Sequence, residues 1–525
     1  MSISLMDVPW LVYSVIGTTW LLSLWHFWLK PQLESKRPVA DLPVPSHCHW
    51  LFGHLHFLQK PLQESYKDLF AASNDQGRIG FFMVSWRVMG VSHWSDVKRI
   101  LYAEHQHKLL PIIKKHIVQF LGSHNIGMLN DRLWKHERSI VHKSLAAAIP
   151  RTESVVIQVA QSLVKSLERK VNESSEGVYI SNALTLMKMA TLDVFGKVAF
   201  SYNFACCEAL EESTVAAAFA HLTRDLTHRV MTTPHHPANY FYSWPSVSNR
   251  EHAKASKALR HFIVQQIEER TSSANNPKDL LTSLVEAHQN MSTEQRQNIP
   301  VDDLMSDVLL SLLFAGYDTT SIALTYVLYV TSEYPNVAEQ CRQELQRVGQ
   351  LDRTDDLVYC RAVLQEVLRL YPPAFTTQRW LQKPVVLPDG YTIPAQTLVI
   401  APIWHIHRCE ANFERATEFR PDRWVYWCND DRKWKPREYP EKKLPGVTHT
   451  IAPGNPNALF TFSAGARSCP GQTFAWTEAL ILMAHLLEHF EFSIVSDYVL
   501  EPDRNGVVQQ PKGGLPLEIR VRSSS

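Results

Sequence analysis

The feature that most restricts the fold of this 525-residue chain is the segment VLLSLLFAGYDTTSIALTYVLYV at residues 308–330. It is apolar nearly all round at helical period, which predicts a helix buried at the centre of the protein. Gly316 and the polar triplet at 318–320 interrupt it, and a glycine weakens a helix interior by about 1 kcal/mol relative to alanine. Because Ala315 and Thr319 lie on one face of such a helix, a small residue and a hydroxyl would open a groove there for a flat ligand or a small molecule.

Asp318 and the hydroxyl of Thr319 are the minimum needed to deliver protons into a dry site. Each residue also has an ordinary structural interpretation. The threonine would then bond back to a carbonyl one turn earlier, and the aspartate would pair with an arginine. The helix alone leaves both interpretations open.

Helical periodicity extends over most of the chain, and strands are few. Helices are predicted at residues 151–171, 208–231, 251–270, 301–333, 337–348, 357–370 and 473–489. Residues 79–91 alternate as in a hairpin, and residues 385–402 predict two strands around Asp389-Gly390. We therefore expect a mainly α fold with a minor β region, in a single domain.

Charge and cysteine content exclude several classes of function. The chain has 53 basic and 52 acidic residues, so no global charge attracts nucleic acid, and we expect no nucleic-acid partner. Its eight cysteines contain no CxxC pair, which argues against a disulfide framework or a zinc site. The fold is therefore expected in a reducing compartment.

Residues 8–29 form an apolar run of 22 residues without Asp, Glu, Lys or Arg. As a helix this run reaches about 30 Å, the thickness of the hydrocarbon core of a bilayer, so we expect a membrane anchor at residues 1–30. A cleaved signal peptide is the alternative, but the run is too long for one and no small-x-small cleavage site follows. Asp7 precedes the run, whereas Lys30, Lys36 and Arg37 follow it, so the positive-inside rule places the rest of the chain in the cytosol.

Prolines at positions 31, 38, 43 and 45 follow the predicted anchor. They cannot continue a helix, so residues 31–50 are expected to form a stiff, extended hinge. The globular catalytic domain would then occupy residues 51–525.

The segment FSAGARSCPG at residues 462–471 places one cysteine between an arginine and a proline. Cys469 could be a nucleophile, a metal thiolate or a buried structural thiol, but no cysteine-protease signature surrounds it. Gly465 and Gly471 let the backbone pass close to a bulky ligand, and the predicted helix that follows would stabilise a thiolate at its N-terminus. Arg467 adds a cation for an anionic ligand. A single thiolate without a second ligand cysteine favours haem, whose ring supplies four further ligands.

Three further segments carry paired charges or an aromatic–arginine pair. Glu366 and Arg369 face the same way in LQEVLRL, Arg423 lies in the proline turn FRPDRW, and Trp134 shares a helical face with Arg138 in WKHER. Singly, each segment is compatible with an ordinary surface ion pair.

Together these segments resemble the cytochrome P450 family. FSAGARSCPG is similar to the family's haem-binding loop Phe-x-x-Gly-x-Arg-x-Cys-x-Gly, with every fixed position filled. AGYDTT resembles its oxygen-activating helix, ExxR and PDRW match two further motifs, and WKHER matches WxxxR. The order and separation of the motifs also match over essentially the whole chain. The resemblance implies one haem domain of this family, preceded by an N-terminal transmembrane helix.

The resemblance also assigns roles to residues. It implies haem b with Cys469 as the axial iron ligand, Phe462 beside the sulfur, Gly465 and Gly471 in the binding loop, and Trp134, Arg138, Arg379 and Arg467 at the propionates. The assignment of Arg379 follows only from its distance after the ExxR helix. Glu366, Arg369 and Arg423 would form a buried bracing triad, and Asp318 with Thr319 would deliver protons to the distal oxygen.

The implied reaction is monooxygenation of a hydrophobic substrate. Two electrons and two protons cleave O2, one oxygen atom leaves as water, and the other enters a C–H bond or double bond. The sequence contains no flavin or nicotinamide motif, so the resemblance implies an external NADPH-dependent flavoprotein reductase. The basic segment at residues 432–443, on the expected proximal face, is a candidate docking surface for it. The implied location is the endoplasmic reticulum membrane, with a single span and a cytosolic catalytic domain.

Two alternatives remain, namely a reductase-independent haem-thiolate isomerase or dehydratase, and a membrane-anchored haem sensor or electron carrier without turnover. The substrate stays open among lipids, sterols, terpenoids and xenobiotics. Ala315 stands where some fatty-acid chain-end hydroxylases of the family carry a glutamate that esterifies haem, so no such covalent link is expected.

Overall fold

A computed structural model describes residues 17–25, 41–45, 54, 62–83, 86–103, 106–107, 111–173, 178–180, 182–232, 242–244, 246–272, 276–351, 353–437, 458–503 and 508–522. The fold is 58% helix and 12% strand, which confirms the predicted mainly α class. The chain divides into two compact units, the first formed by Met1–His107 and Thr376–Ile406, the second by Lys108–Phe375 and His407–Ser525. The prediction of one domain over residues 51–525 remains a prediction.

The helices after residue 60 that have four or more residues carry the labels used below. They are α1 (Leu62–Phe70), α2 (Trp94–Leu101), α3 (Pro111–Leu121), α4 (Asp131–Asn172), α5 (Ala183–Phe200), α6 (Cys206–Ala209), α7 (Thr214–Thr232), α8 (Val247–Ser272), α9 (Leu280–Gln289), α10 (Val301–Glu333), α11 (Pro335–Val348), α12 (Val358–Leu370), α13 (Ile403–Ile406) and α14 (Gln472–His489).

The strands are short. They are β1 (Arg78–Met83), β2 (Trp86–Val91), β3 (Gln106–His107), β4 (Val178–Ile180), β5 (Thr377–Leu381), β6 (Val385–Val386), β7 (Thr392–Ile393), β8 (Leu398–Ala401), β9 (Val425–Cys428), β10 (Lys433–Pro436), β11 (Phe490–Ile494), β12 (Pro502–Asp503), β13 (Gln510–Pro511) and β14 (Leu517–Val521).

The first unit is built on a five-stranded sheet of order β1-β2-β8-β5-β3. β1 and β2 form the predicted antiparallel hairpin, and β2 continues parallel to β8, with Val88 opposite Leu398. β6 and β7 form the second predicted hairpin. A buried arginine ties these parts together, because Arg78 lies 2.5 Å from Asp96 in α2 and 2.7 Å from Asp389 in the β6–β7 turn.

The second unit is helical, and α10 runs through it as the predicted core helix. Its bounds agree with the predicted range 301–333. It packs against α5, α8 and α14. It is also the one helix among the described residues that is long and apolar enough to cross a membrane, but 78% of its most apolar window is buried inside the protein. Burial on this scale identifies it as a core helix.

Two predicted helices differ from the structure by more than five residues at one end or by a break. α4 begins at Asp131 and continues through the exposed Pro150, so the predicted start at residue 151 was wrong. A proline lacks one hydrogen-bond donor but can bend a long helix without ending it. The predicted helix at 208–231 is two helices, α6 and α7, since the left-handed Leu210 ends the first.

The predicted anchor at residues 1–30 is described only at residues 17–25. These residues are helical, and Trp20 is 69% exposed and Trp25 51% exposed. The rest of the anchor, and the hinge at 31–50 apart from residues 41–45, lie outside the described residues.

Candidate active site

The loop that precedes α14 brings Cys469 to the surface of the second unit. Left-handed backbone at Ser463 and Gly465, with φ of 60° and 70°, turns the chain into a short 3-10 turn at Gly465–Arg467. The Cys469 amide then donates a hydrogen bond of 2.8 Å to the Phe462 carbonyl, which closes the loop. Cys469 is exposed, and α14 begins three residues later. The thiol therefore lies next to a helix N-terminus, where a thiolate is stabilised.

Gly471 lies beside this sulfur. A Cβ atom at that position would lie 4.0 Å from Cys469 Sγ. The loop thus presents an accessible sulfur, as a haem ligand requires. Phe462 is half-buried, and its ring lies 6.1 Å from that of Trp476. Its predicted packing against the sulfur remains a prediction.

Arg467 points from this loop towards the start of α4. Its guanidinium donates to the Leu129 carbonyl and to Asn130 Oδ1, both at 2.8 Å, and lies 3.9 Å from the ring centre of Trp134. Burial, opposed by the charge of Asp131 and aided by that of Arg138, lowers the pKa of Arg467 to about 10. The sequence analysis did not identify Asn130, and no motif marked it.

Arg138 lies on the same side of α4 as Trp134. Its Nη2 is 3.5 Å from Ser468 Oγ, and burial lowers the pKa of the guanidinium, an effect that the charge of Cys469 opposes. Trp134, Arg138, Arg467 and Cys469 are therefore brought together, as the motifs predicted. In the part of the chain that the structure describes, no carboxylate lies within 4 Å of either arginine. Two half-buried guanidiniums that have no described carboxylate within 4 Å fit an anionic ligand such as the haem propionates.

Arg379 lies elsewhere, on β5 of the first unit. It is buried, and its Nη1 donates to Thr377 Oγ1 and to the Gln378 carbonyl, both at 2.9 Å. Its predicted contact with a propionate remains a prediction.

The central helix α10 has one accessible patch. From Leu304 to Leu328 every residue is buried except Phe314, Ala315, Gly316 and Thr319. Thr319 Oγ1 donates a hydrogen bond of 2.7 Å to the Ala315 carbonyl, which is the back-bonding that the structural interpretation expected. The same residues nevertheless form the open face that the functional interpretation expected.

Gly316 has a packing role that periodicity did not predict. A Cβ atom there would lie 2.8 Å from Cδ2 of Phe195 on α5, closer than a Cβ contact allows. The glycine therefore permits the close approach of α5 to α10.

Asp318 does not lie on the open face. It is fully buried, and Lys188 Nζ on α5 lies 2.7 Å from its Oδ1. The structural interpretation expected an arginine, and the partner is a lysine. A signal was present, because Lys188 is a lone cation in the apolar stretch ALTLMKMATL.

The predicted triad is present and buried. Glu366 accepts from Arg369 at 2.7 and 2.9 Å and from Arg423 at 3.0 Å. Trp424 Nε1 and the Arg420 amide also donate to this carboxylate, both at 2.9 Å. The sequence analysis missed the tryptophan as a donor, although it is the last residue of PDRW. Arg369 also donates to the His407 carbonyl at 2.7 Å.

The basic segment is described only at residues 432–437, on the β9–β10 hairpin. Lys435 pairs with Asp431, and Arg437 Nε donates to the carbonyls of Asp422 and Val425. Arg432 and Lys433 are exposed. Two of the six cations of this segment are thus engaged within the fold, and Lys442 and Lys443 lie outside the described residues.

Comparison with known proteins gives whole-chain similarities. The sequence model of the cytochrome P450 family matches residues 43–517. Human "Cytochrome P450 4X1" is 24% identical over 515 residues, covering 94% of each chain. Human "Cytochrome P450 4F2" is 24% identical over 549 residues, covering 98% of this chain and 97% of the relative. Mouse "Leukotriene-B4 omega-hydroxylase 3" is 24% identical over 538 residues, covering 98% and 96%.

Proposed function

The chain belongs to the cytochrome P450 family, a family of haem-thiolate monooxygenases, and from this premise we propose that Cys469 is the thiolate that ligates its haem iron. The observation that carries the proposal is the exposed Cys469 sulfur beside two half-buried arginines that have no described carboxylate within 4 Å. Bound haem would supply the activation of O2 and the acceptance of electrons. The remaining roles belong to side chains of this chain.

Arg138 and Arg467 would hold the propionates. Both guanidiniums bond neutral oxygens in the described structure, so an anion would relieve the cost of their burial. Trp134, under the Arg467 guanidinium, would fix its orientation through a cation–π contact. Arg379, Gly465 and Gly471 complete the proposed cofactor-binding set.

The open face of α10 would form the distal side of the site. Ala315 leaves room there, and Thr319 offers a hydroxyl that can pass a proton. Phe314, whose ring lies 5.3 Å from that of Phe120, adds an aromatic wall suited to a hydrophobic substrate. Asp318 would supply the proton to Thr319.

Electrons would come from an external NADPH-dependent flavoprotein reductase that docks on a basic proximal face. Exposed Trp20, Leu21 and Leu22 on the helix at 17–25 support a single membrane anchor at residues 1–30. With the hinge at 31–50, this anchor would hold a catalytic domain at 51–525 on the cytosolic side of the endoplasmic reticulum.

The test uses the full chain with haem, reductase and NADPH. The reduced protein with carbon monoxide should show the red-shifted Soret band of a thiolate ligand, and Cys469→Ser should abolish it. NADPH should be consumed with one oxygen atom appearing in product only when a hydrophobic substrate is present. Product formed without NADPH would indicate an isomerase or dehydratase, and binding without product over a broad lipid and xenobiotic panel would indicate a sensor or carrier.

A further inference from the structure

A cleft of about 300 Å³ lies between the first turns of α4 and the chain that follows α9. Side chains of α4 at positions i, i+3, i+4 and i+7 form one wall, and a glutamine of the following chain forms the other. The lining residues are Arg132, Lys135, His136, Ser139 and Gln295. Trp134 and Arg138 point to another side of the same turns, so the cleft is separate from the cysteine loop.

A buried glutamate–histidine pair holds the two walls together. The side chains of Glu137 on α4 and His288 on α9 are both 0% exposed, and Glu137 Oε2 lies 2.9 Å from His288 Nε2. His288 Nδ1 donates to the Leu284 carbonyl at 2.7 Å, which fixes the orientation of its ring. The Met291 amide then donates to the His288 carbonyl at 3.2 Å. The turn that carries Gln295 therefore starts from a point fixed against α4.

Gln295 is oriented by a reciprocal pair of hydrogen bonds. The Ser292 amide donates to Gln295 Oε1 at 2.8 Å, and the Gln295 amide donates to Ser292 Oγ at 3.1 Å. This is the pattern of a capping box, which fixes the side chain of its last residue. Because a backbone N–H can bond only the oxygen of the side-chain amide, the NH2 group of Gln295 is left as a donor.

The lining of the cleft contains hydrogen-bond donors and no carboxylate. In the part of the chain that the structure describes, the side chains of Arg132 and Lys135 make no ion pair or hydrogen bond. Exposed arginines elsewhere do have acidic partners, since Arg353 lies 2.5 Å from Asp356. Two cations without such a partner, in a cleft with fixed walls, favour an anionic ligand.

We propose that this cleft binds the phosphate group of a small, soluble phosphate monoester. A phosphate monoester carries a charge of about −1.5 to −2 at pH 7 and three strong acceptor oxygens. Arg132 and Lys135 match that charge, and the Ser139 hydroxyl and the Gln295 NH2 group add neutral donors. A carboxylate has one charge and two oxygens, so it would leave one cation uncompensated.

The volume of the cleft also fits an ester. Sites for small organic ligands begin at about 300 Å³, so the cleft accommodates the group to which the phosphate is attached. The cleft shares no residue with the proposed haem, substrate or reductase sites. The phosphate site and the proposed monooxygenase function can therefore fail independently.

Calorimetric titration of the haem-loaded full chain, in a phosphate-free buffer and detergent, tests the site. It compares glycerol 3-phosphate with glycerate, in which a carboxylate replaces the phosphate ester. We expect saturable binding of one glycerol 3-phosphate and weaker binding of glycerate. Arg132→Gln with Lys135→Gln should weaken the binding of glycerol 3-phosphate about 10-fold or more, because each exposed charge pair contributes up to about fivefold. An unchanged carbon monoxide band shows that this double variant is folded.

A matched control removes the same two residue types elsewhere on α4. Lys143→Gln with Arg169→Gln changes two exposed cations outside the cleft and should bind glycerol 3-phosphate like the wild type. Equal weakening in the two double variants would show non-specific attraction and overturn the site.

Gln295→Glu tests the second wall. Glutamate can still accept from the Ser292 amide, so the turn and the melting temperature should be kept, but a carboxylate oxygen replaces the NH2 donor. Binding should fall at least as much as in Arg132→Gln with Lys135→Gln. Normal binding in Gln295→Glu would place the ligand outside this cleft.

The identity of the ligand is tested by four further outcomes. Glycerate that binds as tightly as glycerol 3-phosphate would overturn the assignment to a phosphate group. Inorganic phosphate that binds as tightly would overturn the assignment to an ester, and stronger competition by phosphatidate in micelles would overturn the assignment to a soluble one. If glycerol 3-phosphate does not bind, and Arg132→Gln with Lys135→Gln slows reduction by the reductase, these cations serve a protein partner and the proposal is overturned.

Discussion

At the scale of a residue, Arg467 shows how neutral groups of the chain hold a buried cation in the candidate site. Its guanidinium is held by Leu129, Asn130 and the Trp134 ring, and burial lowers its pKa to about 10. The fold therefore surrounds a desolvated cation with two neutral oxygens and an aromatic ring. A carboxylate bound there would compensate the charge of the guanidinium and make a charge-assisted hydrogen bond to it.

Arg467→Gln should weaken the retention of haem. The loss of a charge-assisted hydrogen bond to a propionate is worth about 1.5–3 kcal/mol, so haem should leave about 10- to 150-fold faster. Transfer of haem to an excess of apomyoglobin, followed by absorbance, measures this rate. Arg132→Gln, an exposed position on α4, is the matched control. Equal rates for the two variants would contradict the role of Arg467.

Thr319→Ala should uncouple oxygen consumption from product formation. The hydroxyl lies on the open face of α10, so its removal should leave haem binding intact while NADPH is used to make peroxide. Thr325 makes the same kind of back bond, 2.8 Å to the Ser321 carbonyl, but is buried, so Thr325→Ala is the control. An unchanged ratio of product to NADPH in Thr319→Ala would remove this residue from the pathway.

At the scale of elements, the close approach of α5 and α10 depends on the absence of a side chain at Gly316. Alanine is favoured over glycine in an isolated helix by about 1 kcal/mol. In this protein the added Cβ would lie 2.8 Å from the Phe195 ring. Packing therefore opposes helix propensity at this position.

Gly316→Ala should lower the free energy of unfolding by up to about 2 kcal/mol, because overpacking costs about 1–3 kcal/mol and the gain in helix propensity offsets only about 1 kcal/mol of it. Urea unfolding measures the change. Combining it with Phe195→Leu should recover part of the loss, since the smaller side chain makes room. A Gly316→Ala variant as stable as the wild type would show that Phe195 moves aside at no cost.

His407 joins the ExxR helix α12 to the residues that lead into the cysteine loop. Its Nδ1 donates to the Arg369 carbonyl at 3.1 Å, and its Nε2 accepts from the Phe460 amide at 3.2 Å. Burial, with the neighbouring charge of Arg369, lowers the pKa of His407 to about 3. The ring is therefore neutral in the folded protein at physiological pH.

This pKa predicts acid destabilisation. The unfolded chain binds a proton at His407 below about pH 6.5, whereas the folded protein does not until about pH 3. The contribution of the neutral His407 ring to the free energy of unfolding is thus complete above pH 6.5 and is lost as the pH falls towards 3. Between pH 7 and pH 5 the loss should be about 2 kcal/mol, and it should be absent in His407→Asn. Urea unfolding of the wild type and of His407→Asn across this range measures how the free energy of unfolding depends on pH. The same dependence in both proteins would contradict a neutral buried histidine.

At the scale of the whole molecule, the β9–β10 hairpin reduces the number of cations that are available to bind the reductase. Lys435 and Arg437 are engaged within the fold, so Arg432 and Lys433 carry the exposed charge of residues 432–437. Arg432→Glu with Lys433→Glu should slow reduction by the reductase at low salt and flatten its salt dependence, with the carbon monoxide band intact. Stopped-flow reduction measures both effects. Identical rates at low ionic strength would place docking elsewhere.

The sequence predicted best those features whose residues all lie in one short segment of the chain. The cysteine loop, the WxxxR face and the bounds of α10 could be predicted because spacing along one segment determines them. The pairings of Lys188 with Asp318 and of Asn130 with Arg467 could not be predicted, since each joins residues more than 100 positions apart in the chain. Pro150 was misleading for a different reason, because packing along a 42-residue helix can outweigh the loss of one backbone hydrogen bond.

The parallel pairing of β2 with β8 also has a consequence for synthesis on the ribosome. Val88 is made early, but its partner Leu398 follows about 300 residues later, which takes about 15–60 s at typical rates of translation. During that interval the nascent β1–β2 hairpin has an uncovered edge that can pair with other chains. The five-stranded sheet of the first unit can be completed only after the strands of residues 376–406 have left the ribosome. The yield of folded protein in cells should therefore depend on chaperones that protect this edge until then.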